Sequence, residues 1–233
     1  MSGLPYRAAL IVGAGAGLSA SLARLLAQSG LDVALAARSP DDLADLVAET
    51  DAKAFACDAS KEDQVQQLFS NVEAAIGAPD VVIYNASYRT RGPIVELVPA
   101  DVEKAIAVTA FGGFLVAQQA AKRMLPKRHG AIVFTGASAS VKGYAKSASF
   151  AMAKFALRGL SQSLARELQP QGIHVAHFVI DGGIRSERRQ VEAGKPDSLL
   201  DPDAIAQTYL DVLRQPRNAW TSEVELRPWV ETF

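Results

Sequence analysis

Residues 12–18 have the sequence Val12-Gly13-Ala14-Gly15-Ala16-Gly17-Leu18. They follow a short apolar run, Ala8–Val12, and precede an apolar segment of helical period, Leu18–Gln28. Glycines at such a junction permit positive φ angles and let a ligand approach backbone N–H groups, while the helix N-terminus favours negative charge. The stretch predicts the first strand, turn and helix of a dinucleotide-binding fold, although a tight turn without a ligand would use the same residues.

The rest of the chain alternates short apolar runs with longer segments of helical period. This alternation is typical of a parallel sheet with crossover helices on both faces. We therefore predict an α/β fold, a single Rossmann-type doubly wound domain over residues 1–233. The charged stretch Arg185–Pro202 lacks a period and is predicted to be a mobile loop. The predicted strands are Ala8–Val12, Val33–Ala37, Lys53–Cys57, Asp80–Tyr84, Ala131–Thr135, His174–Val179 and Glu223–Leu226, and the predicted helices are Leu18–Gln28, Asp41–Glu49, Lys61–Ile76, Val102–Met124 and Ser149–Leu168.

Composition limits the kind of partner. The 24 lysine and arginine residues nearly balance the 25 aspartate and glutamate residues, so nucleic acid and anionic membrane surfaces are not expected partners. No apolar stretch approaches the ~18 residues of a membrane helix, and the N-terminus lacks the pattern of a secretion signal. Cys57 is the one cysteine and cannot form an internal disulfide, which favours a reducing compartment. We expect a cytoplasmic protein that binds small molecules.

The end of the second predicted strand indicates which dinucleotide is bound. An acidic residue there would bind the adenosine ribose hydroxyls, but the chain has Ala37-Arg38. The guanidinium of Arg38 suits a 2′-phosphate, so NADP(H) is favoured over NAD(H). A solvated loop cation is the alternative reading of Arg38.

Several further motifs follow in order: Cys57-Asp58-Ala59 after the third strand, Asn85-Ala86-Ser87 after the fourth, and Lys154 in the helix after the fifth. With the glycine turn, they make nearly the whole chain resemble the short-chain dehydrogenase/reductase family. The resemblance implies that Asp58 contacts the adenine, that Asn85-Ala86 lines the nicotinamide side, and that Lys154 binds the nicotinamide ribose. Residues 181–186 stand where the family contacts the ring carboxamide. The implied cofactor-binding residues are Gly13, Gly15, Ala16, Gly17, Leu18, Arg38, Asp58, Ala59, Asn85, Ala86, Ser87, Lys154, Gly182 and Ile184.

The departures from the family pattern fall on its proton-transfer residues. Phe150 stands where the family has its catalytic tyrosine, Ala137 where it has the catalytic serine, and Thr109 where it has a helix asparagine that supports a proton-relay water. A phenyl ring cannot donate a proton. Smaller departures are Ser19 for the third glycine of the turn, Ser87 for the glycine of N-A-G, and Asp181 for a proline.

Three side chains are candidates to replace the missing groups. Ser138 would hydrogen-bond a carbonyl substrate or would stabilise its own turn. Tyr144 would supply a phenol from the loop side or would cover the rim of the pocket. Asp181 would titrate if desolvated, or would serve a capping or turn role. The predicted catalytic set is Lys154, Ser138 and Tyr144. No histidine or cysteine spacing indicates a metal site.

The predicted function is that of an NADP(H)-dependent oxidoreductase acting on a small organic substrate. Two alternatives stay open: a catalytically silent NADP(H)-binding protein, and an enoyl-type reductase whose proton comes from Tyr144 or water. A homodimer or homotetramer is also predicted, because family members commonly pair through the two long helices and because the C-terminal segment Pro228–Phe233 is apolar. The small helix residues expected to allow close approach of subunits are Ala110, Gly112, Gly113, Ala117, Ala156 and Gly159.

Overall fold

The computed structural model describes residues 4–187 and 189–231, and all statements on structure below refer to these residues. The strands are β1 (Ala8–Val12), β2 (Asp32–Ala37), β3 (Lys53–Ala56), β4 (Val81–Tyr84), β5 (Gly130–Thr135), β6 (Ile173–Ile180) and β7 (Glu223–Leu226). The α-helices are α1 (Leu18–Gln28), α2 (Ala44–Thr50), α3 (Glu62–Ile76), α4 (Pro99–Ile106), α5 (Gly112–Met124), α6 (Ala148–Leu168) and α7 (Pro202–Leu213).

The seven strands form one parallel sheet in the order β3-β2-β1-β4-β5-β6-β7. The order reverses beside β1, whose last residue Val12 lies opposite Ala36 of β2 and Tyr84 of β4. Loops after β1 and β4 leave the sheet in opposite directions at such a point, which opens a crevice at the carboxyl ends of the strands. The glycine turn begins in that crevice.

Helices cover both faces of the sheet, as the alternating pattern predicts. One apolar core lies between the sheet and α1 and α7, and includes Leu22, Leu26 and Tyr209. The other lies beneath α3, α5 and α6, and includes Phe69 and Leu157. Because β1, β4, β5 and β6 are buried throughout, their sequences are mainly apolar rather than alternating. The buried polar residues within them are Thr135, His174 and His177. The predicted doubly wound α/β fold is confirmed.

Element boundaries agree with the prediction to within a residue or two, with two exceptions. The helix predicted over Asp41–Glu49 begins as a 3₁₀ turn, Pro40–Leu43, before α2. The long helix predicted over Val102–Met124 is interrupted by a π-helical segment, Ala107–Phe111, which separates α4 from α5. The Tyr84 hydroxyl donates to the Val108 carbonyl within this segment. A side chain from the sheet thus binds a carbonyl where the helix widens, which is a known cause of such irregularities.

Helix α7 is absent from the sequence prediction although its signals are present. Asp201 caps it by accepting a hydrogen bond from Asp203 N at 2.9 Å, and Pro202 occupies the first helical position. Its buried residues recur at helical spacing, from Ile205 to Leu213. Between α7 and β6 the chain is irregular, as predicted for Arg185–Pro202, and it is held by an ion pair between Arg185 and Asp201 at 2.6 Å.

Three of the six small residues expected to face another subunit are buried within the chain, so that expectation is wrong for them. They are Gly112, Gly113 and Ala117, and a Cβ on Gly113 would lie 2.6 Å from Leu157. Ala156 and Gly159 are exposed. The large exposed apolar side chains of this region are Phe111, Phe114, Met152 and Phe155. Thr232 and Phe233 of the apolar C-terminal segment lie outside the described residues.

None of the helices in the described part of the chain is long and apolar enough to cross a membrane.

Candidate active site

Three adjoining cavities lie at the carboxyl ends of the strands. The nucleotide cavity, of about 780 Å³, is lined by the glycine turn, Arg38 and Asp58. The central cavity, of about 470 Å³, is lined by Gly17 and Lys154. The outer cavity, of about 750 Å³, is lined by Ser138 and Tyr144. The cavities share walls, because Asn85 and Ser87 line the first two and Ala137, Phe150 and Gly182 line the last two.

The predicted cofactor residues converge on two of these cavities. Those in the nucleotide cavity are Gly13, Gly15, Ala16, Arg38, Asp58, Ala59, Asn85, Ala86 and Ser87. Those in the central cavity are Gly17, Leu18, Asn85, Ser87, Lys154, Gly182 and Ile184. The predicted catalytic residues are not brought together, because Lys154 lines the central cavity whereas Ser138 and Tyr144 line the outer one.

The glycines of the turn have two different roles. Gly13 has φ +87°, and a Cβ there would lie 2.5 Å from the Cα of Ala86, so a side chain is excluded by the protein itself. A Cβ on Gly15 or Gly17 would meet no atom within 4 Å. Helix α1 begins beside them with no side-chain cap and no acidic residue in its first turn. The turn therefore leaves open space and unsatisfied N–H groups where a diphosphate would bind.

Ser19, which departs from the family glycine, is explained by its contacts. The buried Ser19 hydroxyl donates to the Gly13 carbonyl at 3.1 Å and accepts from Nδ2 of Asn85 at 2.6 Å. It thereby joins the turn after β1 to the loop after β4. The substitution holds the crevice in shape rather than filling it.

The end of the nucleotide cavity beside Arg38 carries both signs of charge. The exposed guanidinium of Arg38 lies at the end of β2, and Asp42 lines the same cavity. Asp58 accepts from the backbone N–H and the hydroxyl of Ser60 at 3.0 and 2.7 Å. Burial raises the pKa of Asp58, but these hydrogen bonds and the charges of Lys61 and Arg38 outweigh it and lower the pKa. Asp58 is therefore ionised at neutral pH and accepts hydrogen bonds.

Lys154 projects from α6 into the central cavity. Its side chain is buried and Nζ donates to the Thr135 carbonyl at 2.7 Å. Burial lowers the pKa of Lys154 to about 8. A buried ammonium with one protein hydrogen bond retains donors for a ligand, since Lys carries three.

Phe150 occupies the wall between the central and outer cavities. Its ring is almost completely buried, with Nζ of Lys154 5.8 Å from the ring centroid. The guanidinium carbon of Arg89 lies 4.7 Å from the same centroid. Two cations thus lie within cation–π range of this ring, whose negative face attracts them.

Asp181 and Ser138 form a charged network at the edge of the outer cavity. The Asp181 carboxylate accepts from Lys142 at 3.0 Å and from Arg227 at 2.8 Å. Burial raises the pKa of Asp181, but hydrogen bonds from Ser138 and Lys142 and the charges of Lys142 and Arg227 lower it overall. Two cations therefore hold Asp181 in its ionised form, which disfavours the alternative in which this carboxyl titrates. Ser138 begins the 3₁₀ turn Ser138–Ser140, and its two alternative roles stay open.

Thr109 and Tyr88 contact each other beside the nucleotide cavity. Thr109 is fully buried in the π-helical segment, and its hydroxyl accepts from the Tyr88 N–H at 3.2 Å. Tyr88 lines the nucleotide cavity, and its hydroxyl donates to Asp101 at 2.9 Å. Tyr144 is about half exposed at the outer cavity, as expected of a rim residue.

Sequence reasoning missed the basic residues of the outer cavity. Arg89 and Arg91 lie in the loop after β4, beyond Asn85-Ala86-Ser87-Tyr88, and Arg189 lies in the irregular segment after β6. The spacing of Arg89 and Arg91 at the carboxyl end of a strand is a usable signal, whereas the position of Arg189 depends on how the later loop folds. No group of three or more His, Cys, Asp or Glu side chains that could hold a metal occurs within 4–187 and 189–231.

Comparison with known proteins agrees with this arrangement. The family model of short chain dehydrogenases matches residues 7–194. An uncharacterised oxidoreductase of Staphylococcus aureus (strain MRSA252) is 26% identical over 234 residues, which cover 98% of this chain and 100% of the relative.

Solved structures give the same result. A short-chain dehydrogenase from Rhodopseudomonas palustris is 34% identical with a TM-score of 0.82, and the match covers 96% of this chain and 99% of the other. A metagenomic short-chain oxidoreductase in complex with NADP is 28% identical with a TM-score of 0.83, covering 96% and 98%. The chain belongs to the short chain dehydrogenase family, and the prediction of an oxidoreductase is confirmed at that level.

Proposed function

We propose that the chain is one domain, residues 1–233, that binds NADP(H) and acts as an oxidoreductase on a small organic substrate. The observation that carries the proposal is the convergence of all predicted cofactor residues on two adjoining cavities at the strand-order switch. When bound, the dinucleotide would supply or accept a hydride at its nicotinamide ring.

The residues present fit such a cofactor. The open space at Gly15 and Gly17 and the uncapped start of α1 suit a pyrophosphate. Asp58 suits an amine donor on adenine because it is ionised. Lys154 is placed to donate to ribose hydroxyls, and Asn85, held by Ser19, forms the wall between the nucleotide and central cavities. Each assignment uses a hydrogen-bonding capacity that the protein leaves available.

The preference for NADP(H) rests on Arg38 and is supported by the NADP complex of the metagenomic relative. Asp42 in the same cavity opposes it, because a carboxylate repels a 2′-phosphate. A charged contact from Arg38 outweighs one exposed carboxylate if the guanidinium binds the phosphate in a bidentate manner.

Fluorescence titration with NADPH and NADH tests this preference. NADPH should bind about ten- to a hundred-fold more tightly, from roughly 1.5–3 kcal/mol of charge-assisted hydrogen bonding. Arg38→Ala should remove most of the difference and leave NADH affinity unchanged, while Asp42→Asn should widen it. Equal affinities in the wild type, or a preference that survives Arg38→Ala, would contradict the assignment.

The proposed active site is atypical because Phe150 supplies no acid beside Lys154. One observation favours the catalytically silent NADP(H)-binding protein: the side chain beside Lys154 is the phenyl ring of Phe150, which has no proton to donate. The enoyl-type reductase is favoured by Tyr144, whose ring lines the outer cavity together with Phe150. A panel of ketones and α,β-unsaturated carbonyl compounds separates the three functions. Turnover of ketones would support carbonyl reduction. Turnover of unsaturated substrates only, lost in Tyr144→Phe, would support the enoyl-type reductase. Binding without turnover would support the silent protein.

A homodimer or homotetramer is proposed from the exposed apolar side chains of the long helices. Phe111 and Phe114 stack at a centroid distance of 6.0 Å, and Met152 and Phe155 are each about half exposed. Light scattering should show a multiple of 24.7 kDa at micromolar concentration. Phe114→Asp combined with Phe155→Asp should shift the mass toward the monomer; a monomeric wild type would refute the proposal.

A cytoplasmic location is proposed from the buried free thiol of Cys57.

A further inference from the structure

The charged side chains that line the outer cavity are mainly basic. Its charged lining residues are the four cations Arg89, Arg91, Lys146 and Arg189, and the two carboxylates Asp181 and Glu231. Asp181 is already paired with Lys142 and Arg227. The lining therefore carries an excess of positive charge that faces the cavity.

The three arginines are not explained by ion pairs within the protein. Across 4–187 and 189–231, no carboxylate forms a salt bridge with Arg89, Arg91 or Arg189. All three line one cavity. Burial, and then the charges of Arg91 and Arg189, lower the pKa of Arg89, so both of these cations repel it. Cations that repel each other at a cavity wall are stabilised by a bound anion.

The loop that carries Arg89 and Arg91 is fixed to the rest of the site. Gly92 N donates to the Lys146 carbonyl at 3.1 Å, and the Ser149 hydroxyl donates to the Thr90 carbonyl at 2.9 Å. Arg89 in turn stacks over the Phe150 ring. Arg189, which lines the same cavity, lies against Gly183, where a Cβ would be 2.9 Å from Nη1 of the guanidinium. Contacts within the protein thus position both Arg89 and Arg189 at the cavity.

We propose that the outer cavity binds an anionic group of the substrate, a carboxylate or phosphate, between Arg89 and Arg189. In this proposal Phe150 is a positioning residue for substrate binding, because its ring holds the Arg89 guanidinium beside the central cavity. The substrate class is a small oxo or hydroxy compound that carries an acid group next to the reacting carbon. This inference rests on the proposed function, because the reacting carbon must reach the cavity that Lys154 lines.

Binding of charge-matched probe pairs tests the inference without requiring turnover. The pairs are phenylglyoxylate with its methyl ester, and dihydroxyacetone phosphate with dihydroxyacetone. Each is titrated calorimetrically into the full-length protein with and without NADPH. At least one anionic member should bind ten-fold or more tightly than its neutral partner, and the pair that does so distinguishes a carboxylate from a phosphate site.

Three variants assign the effect to the cavity. Arg89→Ala and Arg189→Ala should each weaken binding of the anion about ten- to a hundred-fold, with no change for the neutral partner. Arg89→Lys should retain part of the affinity, because it keeps the charge but not the planar stack on Phe150. Arg166→Ala is the matched control, since this exposed arginine lies outside the cavity at the end of α6, and it should bind like the wild type.

Equal affinity for charged and neutral partners, no binding of any probe, or equal losses in Arg166→Ala and the cavity variants would each overturn the inference. NADPH affinity, measured on the same samples by fluorescence, separates this result from the proposed function. If NADPH binds and the anions do not, the oxidoreductase proposal stands and the anion site is lost. If the anions bind through Arg89 and NADPH does not, the anion site stands and the cofactor assignment is lost.

Discussion

The nucleotide cavity and the outer cavity are built on the same sheet edge, yet they depart from the family pattern to different degrees. In the nucleotide cavity the requirements fall on the backbone: positive φ at Gly13, open space at Gly15, and free N–H groups at the start of α1. In the outer cavity they fall on side chains, and Phe150 in α6 and Ala137 in the loop after β5 stand where the family has its proton-transfer residues. Binding geometry and proton-transfer chemistry are therefore separable in this fold.

The largest expected effect sharpens the distinction within the glycine turn itself. Gly13→Ala should destabilise the protein by roughly 3 kcal/mol or more, because the new Cβ would overlap the backbone of Ala86 at a positive φ. Gly15→Ala should leave stability within about 0.5 kcal/mol, since its Cβ meets no protein atom, but should weaken NADPH binding. Urea denaturation and cofactor titration of both variants measure this. Similar stability losses at the two positions would show that the turn is held together as a unit.

The next effect tests whether the outer wall is still built for carbonyl chemistry. Phe150→Tyr should place a phenol beside Lys154, whose charge would lower the phenol pKa. General-acid catalysis contributes about 10²–10⁴-fold, but Ala137 and Thr109 leave the carbonyl and the proton relay unsupported, so we expect a gain of about ten- to a hundred-fold in ketone reduction.

The control for that substitution is the triple variant Ala137→Ser, Phe150→Tyr and Thr109→Asn, which should exceed the single variant. Steady-state rates with one ketone and saturating NADPH decide the comparison. A triple variant as slow as the wild type would show a pocket no longer suited to a carbonyl. Fast reduction by the wild type that Tyr144→Phe abolishes would show that another acid has replaced the tyrosine.

Sequence patterns predict most of the fold because the strands and helices follow from local periodicity. The π-helical segment does not, since it depends on the Tyr84 hydroxyl reaching Val108 from a distant strand. Helix α7 was predictable from Asp201, Pro202 and the apolar spacing, so its omission reflects the charged loop before it rather than a missing signal. Long-range packing thus prevents prediction of the π-helical segment, whereas α7 was missed because of the irregular sequence next to it.

The same division holds for the candidate site. Residues identified through the glycine turn and the strand ends all reach the two cofactor cavities, because parallel strands bring their carboxyl ends to one edge. The state of Asp181 was not predictable, since its partners Lys142 and Arg227 come from a loop and from the end of β7. The placement of Arg89 and Arg189 in one cavity was not predictable either, because it brings together segments a hundred residues apart in the chain. Side-chain chemistry assembled from distant loops requires the structure.

The smallest expected effect concerns Lys154, which lines the central cavity between the nucleotide cavity and the outer cavity. A lysine titrates near 10.5 in the unfolded chain, whereas burial lowers the pKa of Lys154 to about 8 in the folded protein. Below pH 8 both states are protonated, and folding transfers a charge from water to the central cavity. Between pH 8 and 10.5 the unfolded state binds more protons, so wild-type stability rises with pH over that window through this group.

Lys154→Met removes the buried charge, so without cofactor the variant should be more stable than the wild type at pH 7 by about 1–2 kcal/mol. The gain is smaller than the pKa shift alone implies, because the Thr135 carbonyl loses its donor. The difference should shrink as the pH approaches 10, where the native lysine is neutral, and the exposed control Lys122→Met should show no such trend. Denaturation at matched protein concentration across pH 7–10 measures both variants. A stabilised variant that also binds NADPH more weakly would show that Lys154 serves cofactor binding and lowers the stability of the fold. Equal stability of variant and wild type at every pH would mean that the ammonium is hydrated in the free protein and does not destabilise it.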